Sequence, residues 1–256
     1  MDRPQNEEQI TLRDRLFAQT TSRTSDFEFT EAVAEVFDEM VERSVPLYPE
    51  QQSMVMELCS KFYPKDSSIY DLGCSTGTTL AHLATRLPPT AKLIGYDSSA
   101  PMLDQARLKL EQLGHSTRIE LRTCDLNDDP SSLDLENAGV ALLCWTLQFV
   151  RPLNRDLLIN QIYQSLRPGG VLIVTEKILT INSHMNRFFV DLYHDFKRRN
   201  QYSDTEIMRK REALENVLVP YRLDENYELF RRNGFQHVET FFQWYNFAGF
   251  LCIKSM

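Results

Sequence analysis

The sequence predicts an α/β protein built on a doubly wound sheet of five parallel strands, with a helical insert and a closing β-hairpin after it. Three observations carry this. Apolar runs at 67–72, 91–97, 117–124, 138–145 and 170–177 each suit a buried strand, and segments of helical spacing separate them. The first run ends in Asp71-Leu-Gly-Cys-Ser-Thr-Gly77, a turn bracketed by two glycines that opens a helix. Two final β runs, 235–242 and 244–253, are joined near Gln243 as a hairpin would be.

Residues 1–26 are polar and poorly periodic and read as an N-terminal arm or strap; residues 27–256 read as one domain. From Thr30, the expected N-cap, Val33, Val36, Phe37, Met40 and Val41 share a helical stripe. Ser44-Val-Pro-Leu-Tyr-Pro49 ends it, since two prolines favour an extended or turning path. Tyr48 lies in that connector and faces either core or ligand. A second helix over about 50–62 leads into the first strand, and after Gly77 the residues Leu80, Leu83 and Leu87 line one side of the next helix. The helix after Asp97 buries Met102, Leu103, Ala106, Leu110 and Leu113 and stops at Gly114. Ala138–Trp145 is continuously apolar, as a central strand covered on both faces should be. A helix over about 154–166 and the turn Pro168-Gly169-Gly170 precede the fifth strand. The stretch 182–233 reads as a helical insert, in which the capping box Ser203…Glu206 opens a helix bearing Arg209-Lys210-Arg211 in its middle.

Composition narrows the function classes. With 42% hydrophobic and 25% charged residues the chain is an ordinary globular protein, and no run approaches the ~18 apolar residues of a membrane span. The start lacks the basic flank and apolar core of a signal peptide, which predicts a cytoplasmic protein. Five cysteines without a C-x-x-C pair predict free thiols and no metal site. A formal charge of −8 argues against a large nucleic-acid interface, because phosphate affinity comes mostly from Lys and Arg.

The glycine-bracketed loop has three readings. A dinucleotide site wants G-x-G-x-x-G, which Gly73-Cys-Ser-Thr-Gly77 does not supply. The same residues match G-x-S-x-G, which would make Ser75 a hydrolase nucleophile, but such an elbow normally follows several strands and here it follows the first. The third reading is a nucleoside site of the S-adenosylmethionine (SAM) type, with Asp71 and the loop near the amino-acid end of the ligand. Asp97 lies 24 residues after Gly73, close to the ~20 at which such sheets place a ribose-binding carboxylate. It could equally cap the next helix, or leave that to Ser99. Asp125 could accept from the adenine amine or serve as a turn residue. Gly73, Asp97, Asp125 and Cys144 all fall at the C-terminal edge of the predicted sheet, where ligands of such sheets bind, and this convergence favours the nucleoside reading. The basic residues 197–199 close a helix and read as a solvated face complementing its dipole, whereas 209–211 lie at mid-helix, where the dipole does not explain them and one arginine either is solvated or binds an anion.

Beyond the loop, Val33-Ala-Glu-Val-Phe37, Arg43-Ser-Val-Pro-Leu-Tyr48, Thr146-Leu-Gln-Phe149, His194-Asp-Phe-Lys-Arg198 and Lys210-Arg-Glu-Ala-Leu-Glu-Asn-Val217 resemble the carboxy-S-adenosyl-L-methionine synthase family, within the class I SAM-dependent methyltransferase (Rossmann-like) superfamily. The resemblance runs from about residue 27 to the C-terminus. It implies that prephenate donates a carboxyl group to SAM, giving carboxy-SAM, phenylpyruvate and water, and that carboxy-SAM serves a tRNA wobble uridine modification. No metal is implied, and a homodimer is. By position, the resemblance implies that Tyr48, Gly73, Cys74, Ser75, Asp97, Ser98, Asp125, Leu126 and Cys144 line the SAM site and that Arg211 holds the added carboxylate. Cys144 and Ser98 stand where the family carries Asn, and Cys is the weaker hydrogen-bonding partner. An ordinary SAM methyltransferase acting on a small molecule or tRNA is the alternative reading.

Overall fold

A computed structural model of the chain describes Asp14, residues 16–18 and residues 26–256. The predicted arm therefore lies mostly outside the described residues. The apolar runs form β1 (Ser68–Leu72), β2 (Lys92–Asp97), β3 (Ile119–Thr123), β4 (Ala138–Cys144) and β5 (Leu166–Leu179), all parallel, in the order β3-β2-β1-β4-β5. β6 (Tyr221–Arg222) adds two residues beside the end of β5, while β7 (His237–Trp244) and β8 (Phe247–Ile253) continue the sheet antiparallel. Strand order reverses between β1 and β4, so the crevice over their C-terminal ends is the place such a sheet offers a ligand.

Alternate residues of each strand serve opposite faces. Ile69, Leu93, Val140, Leu142 and Ile173 pack against α2 (Tyr48–Phe62), α3 (Thr78–Arg86) and α4 (Ala100–Gln112). Leu72, Tyr96, Leu143, Leu172 and Val174 pack against α5 (Pro152–Ser165) and α8 (Leu223–Arg232). Each fully buried Leu or Ile contributes about 1.5–3 kcal/mol before chain entropy is counted. α1 (Glu31–Ser44), α6 (Ser183–Arg199) and α7 (Asp204–Leu214) gather over the strand ends. No helix among the described residues is long and apolar enough to cross a membrane.

The structure corrects several local expectations. Tyr48 is not in a connector: it opens α2, and Pro49 occupies the first turn, where a missing N–H costs nothing. Thr30 sits at the N-cap of α1, yet its side chain makes no capping hydrogen bond. The hairpin reverses at Tyr245-Asn246 and not at Gln243; Tyr245 has φ 44°, a left-handed turn carried out without glycine. Residues 221–232, inside the stretch read as insert, form β6 and α8, and α8 packs on the sheet like the other covering helices.

One polar group lies deep in this packing. Glu176 of β5 is fully buried, with Arg155 and the Asn226 side chain as its polar neighbours. Burial pushes its carboxyl up to about 8 despite the pull of Arg155. The folded protein therefore holds a proton that the unfolded chain releases near 4.5. A raised pKa contributes stability that is complete below the unfolded value and is lost as pH rises through the folded one. Between about pH 5 and 8 this group lowers the unfolding free energy by at most about 1.4 kcal/mol per pH unit. Urea unfolding of Glu176→Gln across that range is expected to be flatter than that of the unmutated protein. A difference between the two that does not change with pH would refute this.

Candidate functional site

The loop after β1 is fixed by its own backbone. Gly73 has φ 81°, and a Cβ there would lie 2.4 Å from Thr146 Cγ2 and Oγ1, so only glycine lets the β1 and β4 loops meet. The Gly73 and Cys74 amides both donate to Tyr96 O, at 2.7 and 2.9 Å. Gly77, with φ 74°, begins α3. Thr76 and Thr78 hydroxyls donate to Asp38 of α1 at 2.6 and 3.1 Å, and Lys109 pairs with the same carboxylate at 2.5 Å. These contacts pin α1 over the loop.

Asp97 ends β2 with both carboxylate oxygens engaged: Oδ2 accepts from Ser75 N at 2.8 Å and Oδ1 from Ser99 N at 2.9 Å. Ser99, and not Asp97, caps α4, through Met102 N at 3.3 Å. Burial raises the Asp97 carboxyl despite these bonds. Asp71, fully buried one strand away, is pushed up to about 7 by burial and by the Asp97 charge, and its Oδ1 has no hydrogen-bond partner among the described residues. Asp125 accepts from Asn127 N at 2.8 Å in an exposed turn. Ser75 offers its backbone amide to Asp97, while its hydroxyl has no hydrogen-bonded base among the described residues. That geometry gives the hydrolase reading no support.

A cavity of about 590 Å³ opens over these strand ends, within the roughly 300–1,000 Å³ usual for small-ligand sites. Tyr48, Gly73, Cys74, Ser75, Asp97, Ser98, Asp125, Leu126, Cys144 and Arg211 all line it. For Tyr48 this places the ring at the cavity wall, where burial and neighbouring acidic groups hold the phenol protonated. Burial likewise keeps Cys144 a thiol. Arg211 lies in the last turn of α7 and not at mid-helix, so the helix dipole does favour it; its side chain is exposed at the rim.

The acid-lined rim is only half of the cavity. Lys177 at the end of β5, with Tyr193, His194 and Lys197 of α6 and Lys210 of α7, lines the other side. Of these, sequence reading singled out only the two lysine-arginine clusters, and assigned no lysine to the site. Lys210 is buried, bonded to Ser44 Oγ at 3.1 Å and 3.9 Å from Asp14, whose carboxylate also accepts from Tyr202 OH at 2.6 Å. Burial pushes Lys177 and Lys210 down to about 8, with Arg211 adding to the effect on Lys177. Lys197 is pushed lower by burial and by the other two lysines. For Lys177 the available signal is a lysine shortly after the apolar run Val171-Leu-Ile-Val174, with two residues between; Lys197 and Lys210 have no such signal.

Sheet order, hairpin and cavity position define the class I methyltransferase fold, and the acid-rimmed cleft suits a nucleoside with a charged tail. A methyltransferase-domain family model matches residues 69–170. The fold is shared with an O-methyltransferase family protein from Burkholderia thailandensis (TM-score 0.58, 16% identity, 89% of this chain and 58% of that one). It is also shared with Haemonchus contortus phosphoethanolamine N-methyltransferase 2, solved with S-adenosyl-L-methionine (TM-score 0.60, 14% identity, 89% and 58%). Curated relatives are more specific. The chain is 46% identical to carboxy-S-adenosyl-L-methionine synthase of Methylococcus capsulatus, over 94% of this chain and 99% of the relative. It is 43% identical to that of Desulfotalea psychrophila, over 94% and 97%. The chain belongs to the carboxy-S-adenosyl-L-methionine synthase family.

Proposed function

We propose that the chain converts SAM and prephenate to carboxy-SAM, phenylpyruvate and water. The observation that carries this reading is one cavity with two chemically opposite sides, strand-end acids on one and Arg211 with three lysines on the other. The acids suit a nucleoside with hydroxyl and amine donors; the cations suit a second substrate carrying carboxylates. Asp97 binds the ribose hydroxyls, Asp125 and Leu126 face the adenine, and Gly73–Ser75 cradle the methionine part. Tyr48, Ser98 and Cys144 complete that wall.

The reaction balances without an added reagent. Prephenate loses its ring carboxyl as carbon dioxide and its ring hydroxyl as hydroxide, and the gain of aromaticity drives both losses. Hydroxide takes a proton from the sulfonium methyl to become water, and the methyl carbon bonds to the carbon dioxide. Apolar walls, Phe29, Phe149 and Phe247 among them, would slow the escape of carbon dioxide into solvent. Arg211 then holds the new carboxylate by a bidentate pair.

The formal charge of −8 supports a role on small molecules, with carboxy-SAM passed in the cytoplasm to the enzyme that modifies tRNA. Ile181, Met185, Phe188 and Leu192 leave an exposed apolar stripe on and before α6, which supports a homodimer through that face. Incubation with SAM and prephenate, read by mass spectrometry, is expected to give a product heavier than SAM by one carboxyl unit. Accumulation of S-adenosylhomocysteine with an acceptor, and indifference to prephenate, would establish an ordinary methyltransferase in its place.

A further inference from the structure

We propose that Lys177 and Lys197 form a second carboxylate subsite, distinct from Arg211, which holds the side-chain carboxylate of the donor acid against a wall of Tyr193, Trp145 and Phe247. The assignment rests on the functional reading above and goes beyond it by dividing the donor's two carboxylates between two subsites. Lys177 Nζ and Lys197 Nζ approach the same Tyr193 ring, at 5.0 and 4.7 Å from its centroid. Among the described residues neither ammonium has a carboxylate within 4.0 Å, whereas Lys210 next to them has Asp14. The lysines reach the cavity from different elements, one ending a strand and one ending a helix, so helix-dipole compensation accounts for Lys197 alone. Lys197 is buried and Lys177 half-buried; a cation withdrawn from water without a counter-ion is costly, and two that face one cavity mark a place for an anion. Asp14 and the rim residue Glu215 are the acids nearby, and Asp14 is already bonded to Tyr202.

The surroundings say which anion. Trp145 and Tyr193 each pack on Phe247, with ring centroids 5.6 and 4.9 Å apart and planes inclined by about 60°, giving an aromatic wall beside the two charges. A six-membered ring carrying a short acidic side chain satisfies both features; a free phosphate satisfies only the charge. The side-chain carboxylate also survives the reaction. The subsite must therefore bind the product phenylpyruvate, which lacks the transferred carboxyl group.

Calorimetric titration of phenylpyruvate into the intact protein and into Lys177→Met and Lys197→Met, with SAM affinity measured on the same samples, tests this. Each substitution is expected to weaken phenylpyruvate by about tenfold or more and to raise KM for prephenate, leaving SAM within about twofold. Lys177→Arg, which keeps the charge, is expected to recover most of the loss. Unchanged phenylpyruvate affinity in both variants would overturn the subsite, and so would an equal loss of SAM and phenylpyruvate, which would mean that the lysines only shape the cavity. The two readings separate when the reaction of the unmutated protein is set beside phenylpyruvate binding by the variants. If it makes carboxy-SAM yet binds phenylpyruvate without these lysines, the subsite falls alone; if it makes none but binds phenylpyruvate through them, the reaction falls and the subsite stands.

Discussion

Asp97→Ala is expected to weaken SAM binding by at least about a hundredfold. Two effects act together. In the proposed site the carboxylate accepts from two ribose hydroxyls, and charge-assisted hydrogen bonds are worth roughly 1.5–3 kcal/mol each. The same oxygens already accept from the Ser75 and Ser99 amides, so the substitution also frees the loop that the ligand lies on. Asp97→Asn separates the two contributions. It keeps one carbonyl oxygen as acceptor but turns an NH2 toward an N–H donor, and its loss should be intermediate. Calorimetry with SAM decides: an Asp97→Ala affinity within threefold of the unmutated protein would remove Asp97 from the ribose site.

Arg211→Ala is expected to separate two ligands that differ by one carboxylate. Carboxy-SAM should lose about ten- to a hundredfold in affinity, the value of a paired charge-assisted contact, while SAM changes by less than threefold. Arg211 is exposed in the ligand-free protein, where solvent screens it; its worth depends on the bound carboxylate covering it. Lysine at this position keeps the charge and loses the fork, so Arg211→Lys should recover only part of the discrimination. The ratio of SAM to carboxy-SAM that co-purifies with each variant is a direct measure. Equal weakening of both ligands would exclude the role.

The sheet and half of the site were legible in the sequence, because both depend on local pattern. Strands buried on both faces read as continuous apolar runs, and a residue that closes such a run must lie at the sheet's edge. Gly73, Asp97, Asp125 and Cys144 were placed by that rule, and all four line the cavity. Of the basic half only Arg211 was named, and that by resemblance. Lys177, Lys197 and Lys210 belong to three elements that meet only after folding, and a single lysine in a sequence looks like a solvated one. The Asp14 contact to Tyr202 spans 188 positions and has no local signature. The hairpin turn was misplaced because Tyr245 takes a positive φ that is usual for glycine or asparagine and rare for an aromatic residue. For the arginine cluster the error was one of boundaries: α7 ends at Leu214, one turn earlier than the pattern of hydrophobic residues suggested.

β5 carries Glu176 and Lys177 side by side, and successive side chains of a strand leave on opposite faces. One is sealed beneath α5 and α8, and the other looks into the cavity. Strand parity thus sets the sign of the potential that a substrate meets. A slip of β5 by a single residue against β4 and β8 would put an acid in place of the base at the cavity wall and turn attraction for an anion into repulsion. In the folded sheet Glu176 stands opposite Ala248 and Lys177 opposite Phe247. Correct alignment of β5 within the sheet is therefore a condition for substrate recognition as well as for packing.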